Sequence, residues 1–251
     1  MRATLRIRRF DPETSSQPYW QDYEIDWEPG EVVLYALHDI HENQDATLAY
    51  RYSCRGAICG SCAMRINGAA ALACKVQLSS LEAGSPVVLE PLLNMDVVKD
   101  LVVDQEPFFA SLRTIMPWLE GGGRDPREEF TLEEMMDAPS KDQFLRAMDC
   151  IMCQCCFSDC PKRREDTGFL GPATCLSMYK RTHHPQARDP SARLRKASEP
   201  GGVCDCARHS QCNRVCPKKC RPMSAIILLD RRARREGLGA RDGERGGASA
   251  Q

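Results

Sequence analysis

The sequence predicts an α+β fold in two parts: strands and one helix over residues 1–105, then helices over residues 106–230, with residues 231–251 as a flexible basic tail. Three observations carry this reading. Near the N-terminus apolar and polar residues alternate with period two, as in a half-buried strand. From Glu128 onward apolar residues recur at helical spacing. The chain of 251 residues carries 15 cysteines, and these are gathered into runs, one in the front part and two in the rear.

In chain order, Thr4–Phe10 alternates as a first strand and Asp11-Pro12 with Ser15–Pro18 marks a turn. Tyr19–Trp27 alternates as a second strand, completing a hairpin. Pro29-Gly30 ends it, and Val33, Leu34, Leu37 and Ile40 predict a helix over Glu31–His41. Cys54, Cys59, Cys62 and Cys74 follow at the spacing C-x4-C-x2-C-x11-C, the plant-type pattern for a [2Fe–2S] cluster. Two bridged irons need four thiolates on a small rhomb, and Gly56 and Gly60 offer the backbone freedom for so tight a loop. Zinc is the competing reading, but zinc sites ordinarily pair two C-x2-C units and only one stands here. Asn67-Gly68 signals a type I′ hairpin between Cys62 and Cys74. Val87–Leu92 closes what reads as a ferredoxin-like (β-grasp) unit, and Val97–Val103 opens the linker, which ends at Gly121–Gly123.

In the rear part, Phe130, Met135, Met136, Phe144, Leu145 and Met148 form a helical pattern, with Thr131-x-x-Glu134 as a capping box. The pattern runs into Cys150, Cys153, Cys156, Cys160 and Pro161, the C-x2-C-x2-C-x3-C-P run of bacterial ferredoxins, whose fourth cysteine serves a different cluster from the first three. A helix is expected over Ala173–Arg181, with Met178 and Tyr179 in the core. His183-His184 reads as surface loop and residues 185–202 as an exposed connection. Cys206, Cys212, Cys216 and Pro217 repeat the run with His209 where one cysteine would stand. Crossed ligation assigns Cys150, Cys153, Cys156 and Cys216 to a [4Fe–4S] cluster. It leaves Cys160, Cys206 and Cys212 for a cluster held by three thiolates, hence [3Fe–4S]. His209 is expected to pack near that cluster, with ligation of a fourth iron as the alternative. Met223–Asp230 reads as the closing helix, and Cys155, Cys175, Cys204 and Cys220 as ordinary reduced thiols.

Composition narrows the function. The N-terminal stretch holds Arg2, Arg6, Arg8 and Arg9 and does not have the order of a signal peptide, which disfavours a disulfide framework. Met223–Leu229, the longest apolar run, falls well short of the ~18 residues that span a bilayer. The net charge of −1 divides unevenly: residues 1–125 hold 11 Lys+Arg against 18 Asp+Glu, and residues 126–251 hold 23 against 17. A basic rear half fits an anionic membrane or partner.

A plant-type [2Fe–2S] unit followed by a two-cluster bacterial-ferredoxin unit resembles the iron–sulfur subunit of succinate dehydrogenase and quinol:fumarate reductase. The likeness covers roughly residues 1–230. Its most specific pieces are Ser53–Cys62, Pro91–Asp104, Cys150–Pro161 and Cys206–Pro217. The resemblance implies an electron-transfer subunit of a succinate:quinone oxidoreductase of the tricarboxylic acid cycle and respiratory chain. Its partners would be an FAD-bearing flavoprotein subunit, which holds the succinate site, and a hydrophobic membrane anchor with quinone and, in many members, haem b. It also implies a peripheral position on the cytoplasmic face of a bacterial inner membrane. Two departures stand out: Lys162-Arg163-Arg164 where ubiquinone-linked members carry tryptophan, and Ala207 where they carry histidine. These favour menaquinone.

Electron transfer between clusters is outer-sphere, so no catalytic acid, base or nucleophile is expected in this chain. Fumarate reduction, the reverse direction, uses the same thiolates. A zinc-stabilised nucleic-acid binder is a reading from another class. It is disfavoured because residues 150–251 offer only Phe157, Phe169 and Tyr179 for stacking on bases. A soluble two-domain ferredoxin without partners is the third.

Overall fold

A computed structural model describes residues 1–82, 84–118, 138–184, 187 and 189–238. The fold is α+β. Strands β1 (Arg2–Arg9) and β2 (Tyr19–Asp26) form an antiparallel hairpin with Leu5 opposite Tyr23. Period-two alternation sends Leu5, Ile7, Tyr23 and Ile25 inward. Helix α1 (Val33–Asn43) buries Val33, Leu34, Ala36, Leu37 and Ile40 in the same core. Strands β3 (Ala63–Ile66) and β4 (Ala69–Leu72) are joined by Asn67 and Gly68 at φ 48° and 82°, the positive pair that a type I′ turn requires. Strand β5 (Val87–Glu90) completes a mixed sheet of order β2-β1-β5-β3-β4, parallel to β1 and antiparallel to β3. Burying each of Leu5, Ile7, Leu37, Ile40 and Leu89 contributes roughly 1.5–3 kcal/mol.

Val97–Val103 is not simply linker. It makes a small hairpin of β6 (Val97–Lys99) and β7 (Val102–Val103). Its turn residue Asp100, at φ 46° and fully buried, accepts from Arg9 Nε at 2.9 Å, from the Phe10 amide at 2.9 Å and from the Ala49 amide at 2.8 Å. Arg9 is buried too and also bonds Asp45, Thr47 and the Tyr23 hydroxyl. A buried guanidinium is tolerated where its donors meet carboxylates and hydroxyls in this way.

The rear part is helical: α2 (Glu106–Arg113), α3 (Ala138–Met148), α4 (Cys155–Ser158), α5 (Pro161–Glu165), α6 (Pro172–Thr182), α7 (Pro190–Ala197), α8 (Gln211–Arg214) and α9 (Pro222–Arg235). Pro161, Pro172, Pro190 and Pro222 open α5, α6, α7 and α9 at the position where a missing N–H costs nothing. Helix α6 is central, with Cys175, Leu176, Met178 and Tyr179 buried and α3, α7 and α9 packed around it.

The stretch expected as an exposed connection contains α7 instead. Asp189 caps that helix by accepting from the Ala192 amide at 2.7 Å, and Leu194 and Ala197 enter the core. The polar residues around those two masked its period. His183 and His184 follow the end of α6 as irregular chain, as expected, but they are half-buried rather than on the surface, with His183 stacked 4.1 Å from Tyr179 and His184 against Phe144. Helix α9 runs five residues beyond the expected end at Asp230, because Ala233 continues its buried stripe. The Thr131–Glu134 capping box, Phe130, Met135, Met136, Gly121–Gly123 and residues 239–251 lie outside the described residues.

Hydrogen bonds stitch the front to the rear, from one that is buried to one at the surface. Asp159 Oδ2 accepts from the Ala70 amide at 2.9 Å, and Ser158 Oγ accepts from the Leu93 amide at 2.9 Å. Asn94 Nδ2 donates to the carbonyls of Phe157 at 2.8 Å, Ser158 at 2.9 Å and Cys160 at 3.4 Å. Lys75 Nζ donates to the Pro217 carbonyl at 2.7 Å.

Candidate metal centres

Cys54, Cys59 and Cys62 lie on the loop entering β3, and Cys74 follows β4, so the β3–β4 hairpin carries the fourth thiol back to the first three. Cys54 and Cys59 are exposed, while Cys62 is buried. Backbone amides converge on the sulfurs. Gly56, Ile58 and Cys59 donate to Cys54 Sγ at 3.4, 3.3 and 3.2 Å, Cys54 to Cys59 Sγ at 3.5 Å, and Ala57 to Cys74 Sγ at 3.3 Å. A loop does this by alternating left-handed residues with right-handed ones. Here the left-handed positions fall on Arg55 and Ala57, at φ 56° and 57°, and on Gly60 at φ 76°. Gly56 is not among them, so only one of the two glycines serves as the sequence implied. Amides aimed at a site where negative charge must sit are the setting for a thiolate-bound cluster. For Cys59, burial opposes ionisation, but hydrogen bonds from the Ser61 hydroxyl and the amides of Cys54 and Ser61 prevail and bring the thiol down to about 6.

Cys150, Cys153, Cys156 and Cys216 line one cavity, together with Cys220, Ala173 and Leu176. The structure thus brings together thiols drawn from two runs, with 45 residues between Cys160 and Cys206. Cys150 and Cys216 are lowered to about 7 and about 6, in both cases first by a hydrogen bond from the Cys220 thiol. Cys156 goes the other way, raised well above the ordinary thiol value by burial and by the neighbouring sulfurs of Cys153 and Cys150. A thiolate in that position needs bound cationic iron, so cluster uptake and proton release are linked there.

Cys160, Cys206 and Cys212 form the third set. Cys212 is pushed up to about 12 by burial and by the sulfurs of Cys206 and Cys160. The two rear runs share a backbone design. Met152 and Gln154 flank Cys153 at φ 51° and 67°, and Arg208 and Ser210 flank His209 at φ 60° and 61°. His209 therefore occupies in the second run the place that Cys153 has in the first, but its side chain is exposed.

The three sets adjoin. A Cβ on Gly60 would lie 2.8 Å from both Cα and Cβ of Cys153, so the first loop touches the second set. Cys156 of the second set is near enough to Cys212 of the third for the two sulfurs to interact. Among the described residues no three His, Cys, Asp or Glu donors are set to hold a single metal ion. Thiolates of a three- or four-iron cluster each bind a separate iron, and in [2Fe–2S] only two share each iron, so the cysteines need not converge on one point as zinc demands. Sequence spacing marked these cysteines. It did not mark Asn94, Asp159, Lys75 or Cys220, which hold the runs in place and whose only signal is proximity in space.

A row of cysteine sets with amides turned toward sulfur defines an iron–sulfur electron-transfer protein. Residues 4–110 match the family described as a 2Fe-2S iron-sulfur cluster binding domain. The chain is 36% identical over 234 residues to the mitochondrial succinate dehydrogenase (ubiquinone) iron–sulfur subunit of Dictyostelium discoideum, covering 90% of this chain and 81% of that protein. It is 36% identical over 228 residues to the fumarate reductase iron–sulfur subunit of Mycobacterium tuberculosis, covering 90% of each. A chain of the Mycobacterium smegmatis Sdh1 complex in the apo form superposes with a TM-score of 0.79 at 26% identity, over 94% of this chain and 97% of that one. The protein belongs to the family of iron–sulfur subunits of succinate dehydrogenase and fumarate reductase, the electron-transfer subunits of those complexes.

Proposed function

We propose that this chain relays electrons between a succinate-oxidising flavoprotein subunit and quinone at a membrane anchor, with a plant-type ferredoxin unit over residues 1–105 and a bacterial-ferredoxin unit over residues 106–230. Cys54, Cys59, Cys62 and Cys74 hold [2Fe–2S]. Cys150, Cys153, Cys156 and Cys216 hold [4Fe–4S], and Cys160, Cys206 and Cys212 hold [3Fe–4S]. When bound, the clusters supply one-electron carriers spaced along the chain. What the protein's own residues do is fix order and spacing. The observation that carries the reading is the contact of Gly60 with Cys153, which sets the first thiolate loop edge to edge with the second. Bonds of Asn94, Ser158 and Asp159 then hold the second and third sets against the front sheet.

The exposed Cys54 and Cys59 place the first set at the surface, as docking to a flavoprotein requires. No described helix is long and apolar enough to cross a membrane, so contact with quinone calls for an anchor subunit. We assign the complex to the cytoplasmic face of a bacterial inner membrane. Ala207 and Lys162-Arg163-Arg164, in place of the histidine and tryptophan of ubiquinone-linked members, support menaquinone as the partner quinone. The test is purification from the native membrane with iron, sulfide, flavin, haem and quinone analysis. We expect copurified flavoprotein and anchor, and in the oxidised state a sharp EPR signal near g of about 2, as [3Fe–4S] gives. A colourless, zinc-loaded chain with no partners would overturn the reading. The same row serves succinate oxidation and fumarate reduction, and the measured cluster potentials set the direction.

A further inference from the structure

Cys220 is the cysteine whose surroundings ask for an explanation. It lies four residues past Cys216, outside the ferredoxin run, and is 1% exposed. It lines the same cavity as Cys150, Cys153, Cys156 and Cys216. Its amide donates to Cys216 Sγ at 3.3 Å. Its thiol lies within hydrogen-bonding reach of both Cys150 and Cys216. The backbone is shaped to put it there. Lys219 and Arg221 on either side are left-handed, at φ 54° and 52°, a conformation that disfavours L-residues with a Cβ. The buried Gln143 side chain on α3 then clamps the far side, donating from Nε2 to the Cys220 carbonyl at 3.1 Å and to that of Arg221 at 3.4 Å. Two strained residues and a buried amide holding a thiol against two sulfurs are more than the packing of a small apolar side chain needs.

We propose that Cys220 is a positioning residue for the four-iron site: its S–H proton, shared between the sulfurs of Cys150 and Cys216, raises the reduction potential of the cluster those cysteines hold. The proposal rests on the ligand set given above. The sign follows from charge. Reduction adds an electron to a cluster whose sulfurs already carry negative charge, so a donor bonded to them stabilises the reduced state more than the oxidised one. Cys155 has a similar place against Cys153, so both unassigned thiols nearest this set point at its ligands.

The experiment is an EPR-monitored redox titration of the intact complex carrying Cys220→Ala or Cys220→Ser, with the other two clusters as internal references. Loss of one donor bond to a charged group is expected to change the reduced-to-oxidised ratio at fixed ambient potential about tenfold, or about 59 mV for one electron. The Ala variant is expected to move negative by that order. The Ser variant, which keeps an O–H donor, is expected to stay much closer to the unmodified complex. Pulsed EPR after exchange into deuterated water adds a readout that packing does not move: beyond the exchangeable protons of the Cys220 amide and the Cys155 thiol, one more strongly coupled proton is expected in the unmodified complex and in Cys220→Ser, and is expected to be missing from Cys220→Ala. Both variants retaining the cluster at an unchanged potential, or absence of that proton, would overturn the proposal. If Cys220→Ala does not assemble, Cys220→Val, which fills the space and has no donor, takes its place in both measurements. Failure of the underlying ligand set looks different: Cys216→Ala would keep a four-iron cluster while Cys220→Ala lost it.

Discussion

Replacing Gly60 by alanine tests the junction between the first two thiolate sets. Two costs are legible in the structure. Gly60 stands at φ 76°, where an L-residue loses roughly 1–2 kcal/mol. The added methyl would also meet Cys153 Cα and Cβ at 2.8 Å, against ordinary contact at 3.4 Å or more, so the two loops must part by at least 0.6 Å. Neither contact atom is the far end of a flexible side chain, and overpacking of that kind costs about 1–3 kcal/mol. The sum is about 2–5 kcal/mol. It falls on the loop that carries Cys59 and Cys62 and on the run that carries Cys150–Cys160. The assay is the rate of cluster bleaching in guanidinium, followed by visible absorbance, with single-turnover reduction of the second cluster by the first. We expect faster bleaching and slower transfer. Gly56→Ala is the control: Gly56 is not left-handed, and its nearest approach to an added Cβ is 3.6 Å, so it should behave as the unmodified chain. A Gly60→Ala chain as stable as Gly56→Ala, with equal transfer rate, would refute the junction.

Asn94→Ala removes three donor contacts and leaves a left-handed alanine, for a loss of roughly 2–4 kcal/mol, whereas Asn94→Gly keeps the backbone and loses only the amide, so denaturation midpoints of the pair separate the two effects. Burial opposes ionisation of Asp45, but hydrogen bonds from Thr47, Tyr23 and Arg9 hold its carboxyl well below the usual carboxylate range. Its stabilisation is thus full above about pH 4 and is lost as pH falls from there through the folded value. Asp45→Asn should flatten the acid limb of a stability–pH curve measured by tryptophan fluorescence. Cys160→Ala should abolish the [3Fe–4S] EPR signal and spare that of [4Fe–4S]; the opposite pattern would reverse the crossed ligation. Stripping iron with a chelator under reducing conditions should lower helical circular dichroism, since α4 and α8 are single turns that carry the proposed ligands Cys156 and Cys212.

The cysteine runs were legible because their spacing is local: each lies within a dozen residues, and the chemistry of thiolate and iron gives that spacing its meaning. Both ends of the β3–β4 hairpin were legible for the same reason, since Asn67-Gly68 announces its own turn. Long-range contacts left no such trace. Asp100 meets Arg9 across 91 positions and Asp159 meets the Ala70 amide across 89. In sequence each is one more surface charge, so the β6–β7 hairpin read as linker. Helix α7 escaped because only Leu194 and Ala197 face the core with Arg193, among charges and prolines that imitate a loop. Gly60 was noticed for its freedom, when its lack of a side chain matters as much for what touches it from residue 153.

The side-chain amide of Asn94, set against the carbonyls of Phe157, Ser158 and Cys160, has a kinetic consequence. With Ser158, Asp159 and Lys75 it leaves the described seam without a hinge, so the gaps an electron must cross are set at folding and do not breathe during turnover. Some redox proteins swing a cofactor-bearing head between donor and acceptor and so slow down in viscous solvent. This chain behaves as a fixed wire, and its internal transfer rates should be indifferent to added glycerol. Any viscosity dependence of the whole complex then belongs to the arrival and departure of the substrates at its two ends.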